Sequence, residues 1–169
     1  QVDGVAMGSP LAPTLASIFF QSFESKFCNF EGSQPIIFKR YVDDIFAVFS
    51  KIEDCNRFLN FINNVHPNIK FTMEVENEGM LQFLDVKICR GKSHYDTSIY
   101  RKPTDTGLYL SSFSFCNPLY KHNLIKGLIH RTWALNSKFV SVDDDLKTLR
   151  DRLHNNGFGF DYIDKLIKT

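Results

Sequence analysis

The sequence predicts an α+β protein in which helices pack on one face of an antiparallel sheet, followed by a helical segment. Predicted strands and amphipathic helices alternate in the order helix, hairpin, helix and meander, which favours this layered class. The 169 residues are 43% hydrophobic and include 17 Phe, enough to bury a core. Beyond about residue 103 the apolar spacing becomes helical.

The first predicted helix starts near Ser9 and runs to about Phe27. Ser9 can cap a helix, and Pro10 suits the first helical position. The apolar residues that follow recur near a 3.6-residue period: Leu11, Leu15, Ile18, Phe19 and Phe23. Gly and Pro within residues 32–35 then interrupt the pattern.

A hairpin is predicted next, with adjacent carboxylates at its bend. IIFKRY (36–41) and IFAVF (45–49) have strand composition, and Asp43 and Asp44 lie between them. Like charges repel, and burial raises the cost, so a bound cation would relieve the repulsion between them. Rigidly held carboxylates are suitable ligands for a pair of Mg²⁺ ions. A solvent-facing turn is the alternative, because Asp is common in turns.

A second helix and a three-stranded meander follow the hairpin. Residues 53–65 have a helical apolar face, and Pro67 closes the segment. Two strands are predicted at 69–76 and 80–89, joined by an Asn-Glu-Gly turn, and a third at 95–102.

Three more helices are predicted at 121–137, 142–155 and 160–168. Their expected core residues include Ile125, Ile129, Trp133, Leu146, Leu149 and Leu153. The acidic run Asp143 to Asp145 favours a helix N-terminus. An Asn-Asn-Gly turn at 155–157 separates the last two helices in a helix-turn-helix outline, although any helical hairpin has the same outline.

Charge and composition limit the classes of function that the chain can have. Residues 1–84 carry 6 Lys/Arg and 10 Asp/Glu, whereas residues 85–169 carry 14 and 9. This split suits metal-binding carboxylates in one half and polyanion contacts in the other, although solvated surface charge gives similar splits. The four Cys lack the spacing of a zinc site. No apolar run reaches the length of a membrane span, and the first residues lack the charged and apolar regions typical of a signal peptide. We therefore expect an intracellular chain.

Several motifs carry a resemblance to one family. YVDD (41–44) resembles the Tyr-x-Asp-Asp box of reverse transcriptases, and GVAMGSPLAP (4–13) resembles the glycine box that precedes it. FLDVKI (83–88) stands where that superfamily has its primer-grip hairpin. With FTMEVE and YRKPT, these motifs make the chain most similar to the reverse transcriptases of Penelope-like retroelements, over nearly its whole length.

This resemblance implies a fold and a reaction. Residues 1–103 are expected to form part of the palm of a right-hand polymerase, and residues 104–169 a helical thumb-like or helix-turn-helix segment. The implied activity is RNA-directed DNA synthesis, in which deoxynucleoside triphosphates extend a DNA primer along an RNA template. Two Mg²⁺ ions, or Mn²⁺, are the implied cofactors. Action on genomic DNA implies a nuclear location.

The resemblance also implies roles for individual residues. Asp43 is expected to bind both metals, and Asp44 to support the second site. The residues expected near the nucleotide and template are Gly8, Ser9, Pro10 and Tyr41. The expected primer grip consists of Phe83, Leu84, Asp85 and Val86.

Basic residues in the second half are candidates for binding a nucleic-acid backbone. Residues 85–142 contain nine Lys/Arg and three Asp/Glu. Together with the family resemblance, this excess favours such a face over solvated charge. The named candidates are Lys70, Arg101, Lys102, Lys121 and Arg131. Lys70 also stands where polymerases often keep a lysine that protonates pyrophosphate, but a plain surface lysine is the favoured interpretation.

The chain departs from the family pattern at two points. Met7 replaces the usual Gln, and the third metal-binding aspartate is expected before Gln1, because Asp3 is poorly placed to substitute. We therefore expect an incomplete chain that does not polymerise alone. Two alternatives stay open: a catalytically incomplete remnant that binds nucleic acid through a helix-turn-helix module, and an unrelated α+β protein with a structural Asp-Asp turn.

Overall fold

A computed structural model of the protein describes residues 4–6 and 8–168. Helices are combined with small antiparallel sheets, so the predicted α+β class is confirmed. Two compact units divide the chain, Gln1–Glu74 and Val75–Thr169. The functional boundary predicted at residue 103 stays a prediction. Among the described residues, no helix combines the length and the apolar character needed to cross a membrane.

The described residues of the first unit form two α-helices, one short 3-10 helix and one hairpin. Helix α1 spans Ala12–Glu24 and continues into a 3-10 helix, Ser25–Asn29. Strands β1, Ile37–Tyr41, and β2, Asp44–Val48, form the two-stranded sheet. Helix α2 spans Ile52–Val65. The predicted helix, hairpin and second helix are therefore present, in that order.

The predicted start of the first helix is wrong. The Ser9 carbonyl accepts the Ala12 amide at 3.1 Å, which closes a turn before α1, and no side chain caps the helix. Pro13 lies in the first turn instead of Pro10. Much of the predicted apolar face is also exposed, including Leu15 and Ile18, because the buried contacts are made at the C-terminal end of α1.

Phenylalanine packing forms the core of the first unit. Phe23, Phe27, Phe58 and Ile62 are buried, and nine partly buried apolar residues surround them. The Phe58 ring contacts the rings of Phe27, Phe30, Phe38 and Phe49 with centroid distances of 5.3 to 6.3 Å. One residue of α2 therefore joins the 3-10 helix to the hairpin, through dispersion and aromatic edge contacts.

The second unit begins with a three-stranded meander. Strands β3, Met80–Phe83, β4, Val86–Arg90, and β5, Tyr95–Ile99, pair antiparallel in that order. The single strand predicted at 80–89 is therefore wrong, because Leu84 and Asp85 form a two-residue turn between Phe83 and Val86.

The strand predicted at 69–76 is not formed. Instead, the Asn63 side chain on α2 forms hydrogen bonds with the backbone amide and carbonyl of Phe71. Its Oδ1 accepts the Phe71 amide at 2.6 Å, and its Nδ2 donates to the Phe71 carbonyl at 3.0 Å. The Phe71 ring also packs against the phenylalanine core. Contacts with α2 and with this core, and not pairing with another strand, therefore hold the segment in place.

Three helices complete the second unit: α3, Pro118–Leu135, α4, Phe139–Asn155, and α5, Phe160–Ile167. Their core cluster consists of Ile125, Ile129, Leu149, Leu153, Phe158, Ile163 and Leu166. Helix α4 begins at Phe139, so the acidic run at 143–145 lies past its first turn, contrary to prediction. Trp133 is 49% exposed and does not belong to this core.

Buried polar contacts attach the loop before α3 to the end of α4. The Asn156 side chain donates to the Gly107 carbonyl at 3.0 Å and accepts the Tyr109 amide at 2.9 Å. Gly157 has a φ of +89°, and a Cβ there would lie 2.5 Å from Ser112 Oγ. The turn between α4 and α5 therefore requires glycine for both conformation and space.

The short turn between α3 and α4 bonds to the edge of the meander. The Ser137 amide donates to the Thr97 carbonyl at 3.0 Å, and Ser137 Oγ accepts the Thr97 amide at 2.9 Å. These bonds satisfy an edge position of β5, which explains why the meander and the helices form one unit.

We predict that Phe58→Ala destabilises the first unit by about 3 to 5 kcal/mol, because it removes a buried ring and leaves a cavity. Phe58→Leu is the matched control, with a smaller loss. Urea unfolding followed by circular dichroism measures the effect. The only Trp, Trp133, lies in the second unit, so its fluorescence transition should stay unchanged. A shift of that transition by the same amount contradicts the prediction.

We predict that Asp105→Asn removes part of the acid sensitivity of the second unit. Hydrogen bonds from the Arg152 guanidinium and the Gly107 amide lower the pKa of the Asp105 carboxyl below its usual range. The ion pair therefore stabilises the fold above the unfolded-state pKa of about 3.9, and this contribution is lost as the pH falls through the folded-state pKa. Thermal midpoints measured at neutral and acidic pH should differ less in Asp105→Asn. An unchanged difference contradicts the prediction.

Candidate functional site

The hairpin of the first unit places the two aspartates together. Strands β1 and β2 pair in register from Ile37 with Val48 to Tyr41 with Asp44. Val42 and Asp43 form the two-residue turn, and Asp44 is the first residue of β2. The structure therefore brings Tyr41, Asp43 and Asp44 to one hairpin tip, and the two aspartates lie at the bend as the strand composition predicted.

The turn is strained at Val42. Its φ is +55°, a left-handed conformation that disfavours β-branched side chains. Asn or Gly is usual at such positions in hairpins. Val42 is 61% exposed, so burial of its side chain does not account for the residue type. Strain of this kind is frequent at functional sites.

Arg40 supports this turn from the adjacent strand. Its Nε pairs with the Glu24 carboxylate at the end of α1, and its Nη1 donates to the Val42 carbonyl at 2.9 Å. The guanidinium also lies 4.9 Å from the centre of the Phe20 ring. Arg40 thereby connects the strained turn to α1 through an ion pair, a hydrogen bond and a cation–π contact.

Asp43 and Asp44 lack a compensating cation within the described chain. Both are exposed, and no described residue forms an ion pair with either. The same residues contain no group of three or more His, Cys, Asp or Glu positioned for a metal. Two carboxylates suffice where Mg²⁺ takes its remaining ligands from water and phosphate. Carboxylate oxygens are the donors that Mg²⁺ prefers, so this pair fits that chemistry.

The predicted nucleotide-binding residues Gly8, Ser9 and Pro10 lie in the turn that leads into α1. Gly8 has a φ of +90°, and a Cβ there would meet no atom within 4 Å. Glycine is therefore favoured at this position by backbone conformation and not by crowding within the chain. Met7 and Asp3 lie outside the described residues.

The predicted primer grip is the tip of the second hairpin. Phe83 pairs with Val86, and both are half-buried, whereas Leu84 and Asp85 are exposed. Leu84 has a φ of +55°, the same conformation as Val42. The Asp85 carboxylate pairs with Arg131 on α3. The two hairpins thus have similar backbones, but they belong to different compact units.

Most of the basic candidates make intramolecular contacts. Arg101 donates to Asp145 at 2.6 Å, and Lys70 and Lys121 donate to backbone carbonyls at 2.5 Å. Arg131 pairs with Asp85, whereas Lys102 is exposed. Contacts between these residues and a nucleic acid stay predictions. Arg101 is the least available of them, because Asp145 is buried and also binds Asn136.

Sequence reasoning missed the supporting role of Arg40. Glu24 precedes it by sixteen residues, on a different element, and no motif spacing connects the two. The sequence also did not indicate a positive φ at Val42, because valine disfavours that conformation. A hairpin with a two-residue loop is the signal that could have indicated a left-handed turn residue.

The comparisons with known proteins bear on the second unit. Residues 108–168 match a family model described as the animal helix-turn-helix domain. This range begins in the loop before α3 and includes α3, α4 and α5. No curated protein and no solved structure matches the chain. The helix-turn-helix prediction for the helical segment is confirmed at this level, and the match does not extend to the first hairpin.

We predict that Val42→Asn stabilises the first unit by about 1 kcal/mol, because Asn tolerates the left-handed conformation at lower cost. Little apolar burial is lost, since Val42 is largely exposed. Urea unfolding measures the change. Val5→Asn, at a partly exposed position without a positive φ, serves as the matched control and should give no stabilisation. Destabilisation by Val42→Asn contradicts the strain argument.

Proposed function

We propose that the chain is part of an RNA-directed DNA polymerase, with residues 1–103 contributing to the palm. The observation that carries this proposal is the exposed, uncompensated pair Asp43 and Asp44 on a hairpin tip that Arg40 supports. The order of the glycine box, the Tyr-x-Asp-Asp box and the Phe-Leu-Asp-Val turn supports the same proposal. The α+β arrangement is compatible with a partial palm.

In this proposal Asp43 and Asp44 hold Mg²⁺ or Mn²⁺ together with the triphosphate of an incoming nucleotide. When bound, two such ions activate a primer hydroxyl and stabilise the leaving pyrophosphate. Tyr41, 60% exposed beside the aspartates, presents an aromatic face to the primer end. Gly8 keeps the backbone open to the RNA template and the new base pair.

Nucleic-acid binding by residues 108–168 is the second proposed function. The match to the animal helix-turn-helix domain supports it, since helix-turn-helix units commonly bind DNA. This function does not require metal. It therefore stands even if the polymerase site proves incomplete, as in the remnant alternative.

We predict that Mn²⁺ broadens the backbone resonances of residues 41–45 in NMR spectra of the chain. Asp43→Asn combined with Asp44→Asn should remove the broadening, because the carboxylate ligands are lost. Asp85→Asn is the matched control, since Asp85 occupies a similar turn but pairs with Arg131. Broadening that survives the double substitution, or that depends on Asp85, contradicts the proposed metal site.

We predict that Asp43→Asn abolishes nucleotide addition in a longer polypeptide that supplies the expected upstream aspartate. Folding should be retained, because removing one of two adjacent like charges lowers their repulsion. Mg²⁺-dependent primer extension on an RNA template measures the activity, and circular dichroism checks the fold. Near-normal extension by Asp43→Asn would falsify the proposed catalytic role.

A further inference from the structure

We propose that one exposed face of α3 is a docking surface for double-stranded DNA. This inference rests on the nucleic-acid-binding function proposed for residues 108–168, and it names the helix face and the form of nucleic acid. We call this face the α3 stripe, and its exposed members are Tyr120, Asn123, Lys126, Gly127, His130 and Trp133. Most successive members are three residues apart, and Gly127 is four residues from Asn123, so they lie on one side of the helix.

The distribution of charge favours α3 over the other two helices. Residues 106–142 contain four Lys/Arg and no Asp or Glu, so α3 has no carboxylate of its own. By contrast, α4 and α5 carry six Asp and four Lys/Arg, and four of the Asp are exposed: Asp143, Asp144, Asp151 and Asp161. Three Lys/Arg without a carboxylate give α3 a formal charge of +3, whereas four Lys/Arg and six Asp give α4 and α5 together −2. This difference favours the α3 stripe over α4 and α5 as the contact for a polyanion.

Gly127 indicates that a partner approaches the helix closely. It lies in the middle of an 18-residue helix, where only Pro is less favourable than Gly. A Cβ at this position would meet no atom of the described residues within 4 Å, so packing among them does not require the glycine. Glycine does permit another molecule to approach the helix backbone, and Gly127 lies beside the exposed Lys126.

The residues on the stripe supply the groups that a DNA contact needs. Lys126 and His130 are one helical turn apart, and neither has an ion-pair partner among the described residues. Asn123 adds an amide, which suits a base edge or a phosphate. Lys121 and Arg131 are less available, since Lys121 binds the Ser112 carbonyl and Arg131 pairs with Asp85.

The shape of the surface favours B-form DNA. An exposed helix fits the major groove of a DNA duplex, which is about 12 Å wide. The major groove of an A-form RNA helix is too deep and narrow for such entry. Tyr120 and Trp133 stand near the two ends of the stripe and are 64% and 49% exposed. They offer apolar contacts to the sugars that border the groove.

Fluorescence anisotropy with the full chain and a short labelled DNA duplex of mixed sequence tests the charge contribution. Lys126→Ala should weaken binding by about three- to tenfold and lower the slope of log affinity against log salt by about one. His130→Ala should also weaken binding. Lys147→Ala removes one positive charge from an exposed site on α4 and is the matched control, expected to leave the affinity nearly unchanged.

The Gly127→Ala variant distinguishes an effect on DNA binding from an effect on the stability of the helix. Alanine favours the helix, so the thermal midpoint should rise, while the added Cβ should weaken DNA binding severalfold. A merely structural glycine predicts the opposite for binding, since a more stable helix would bind equally or better. Unchanged or tighter binding by Gly127→Ala therefore overturns the close-approach argument.

The remaining outcomes separate this inference from the proposed function. If the chain binds DNA but Lys126→Ala and His130→Ala behave like Lys147→Ala, the α3 stripe is not the surface and nucleic-acid binding still stands. Tighter binding to an RNA–DNA hybrid or to single strands also overturns the choice of double-stranded DNA alone. No binding to any of these probes overturns both the inference and the proposed nucleic-acid-binding function.

Discussion

The contacts of Arg40 are the interaction on which the first hairpin depends. One guanidinium pairs with Glu24 on α1, donates to the carbonyl of the strained Val42 and lies over the Phe20 ring. Because these contacts reach both a helix and the turn, they restrict the freedom of two adjacent carboxylates that repel each other. The phenylalanine core of the first unit supplies the apolar burial, whereas the contacts of Arg40 fix the orientation of the turn.

Local electrostatics distinguish two hairpins with similar backbones. Each has a two-residue turn whose first residue has a φ of +55° and whose second residue is Asp. Arg131 neutralises Asp85, whereas Asp43 is followed by a second carboxylate and has no described ion-pair partner. A bound cation would therefore relieve more repulsion at the first turn than at the second. This difference is consistent with the separate roles proposed for the two turns, metal binding at the first and primer contact at the second.

Sequence periodicity predicted the type and order of most elements because helices and strands have different apolar repeats. It failed where side chains from elsewhere compete for the backbone. Residues 69–76 have strand composition, but the Asn63 side chain forms hydrogen bonds with the Phe71 amide and carbonyl, which a neighbouring strand would otherwise use. It also overestimated burial, since Leu15 and Trp133 fit apolar helical faces and are nevertheless 45% and 49% exposed. Periodicity identifies a face but not whether another element covers it.

The sequence by itself determined that Asp43 and Asp44 lie at a bend and that a helical segment follows, because neighbouring residues fix both features. Tertiary structure alone decided that Arg40 supports the turn, that Arg131 neutralises Asp85, and that Lys126 rather than Lys121 faces outward. Each of these results depends on contacts between groups distant in sequence or on which helix face is covered. Such contacts leave no regular spacing in the chain, and only the folded arrangement shows which charges are compensated.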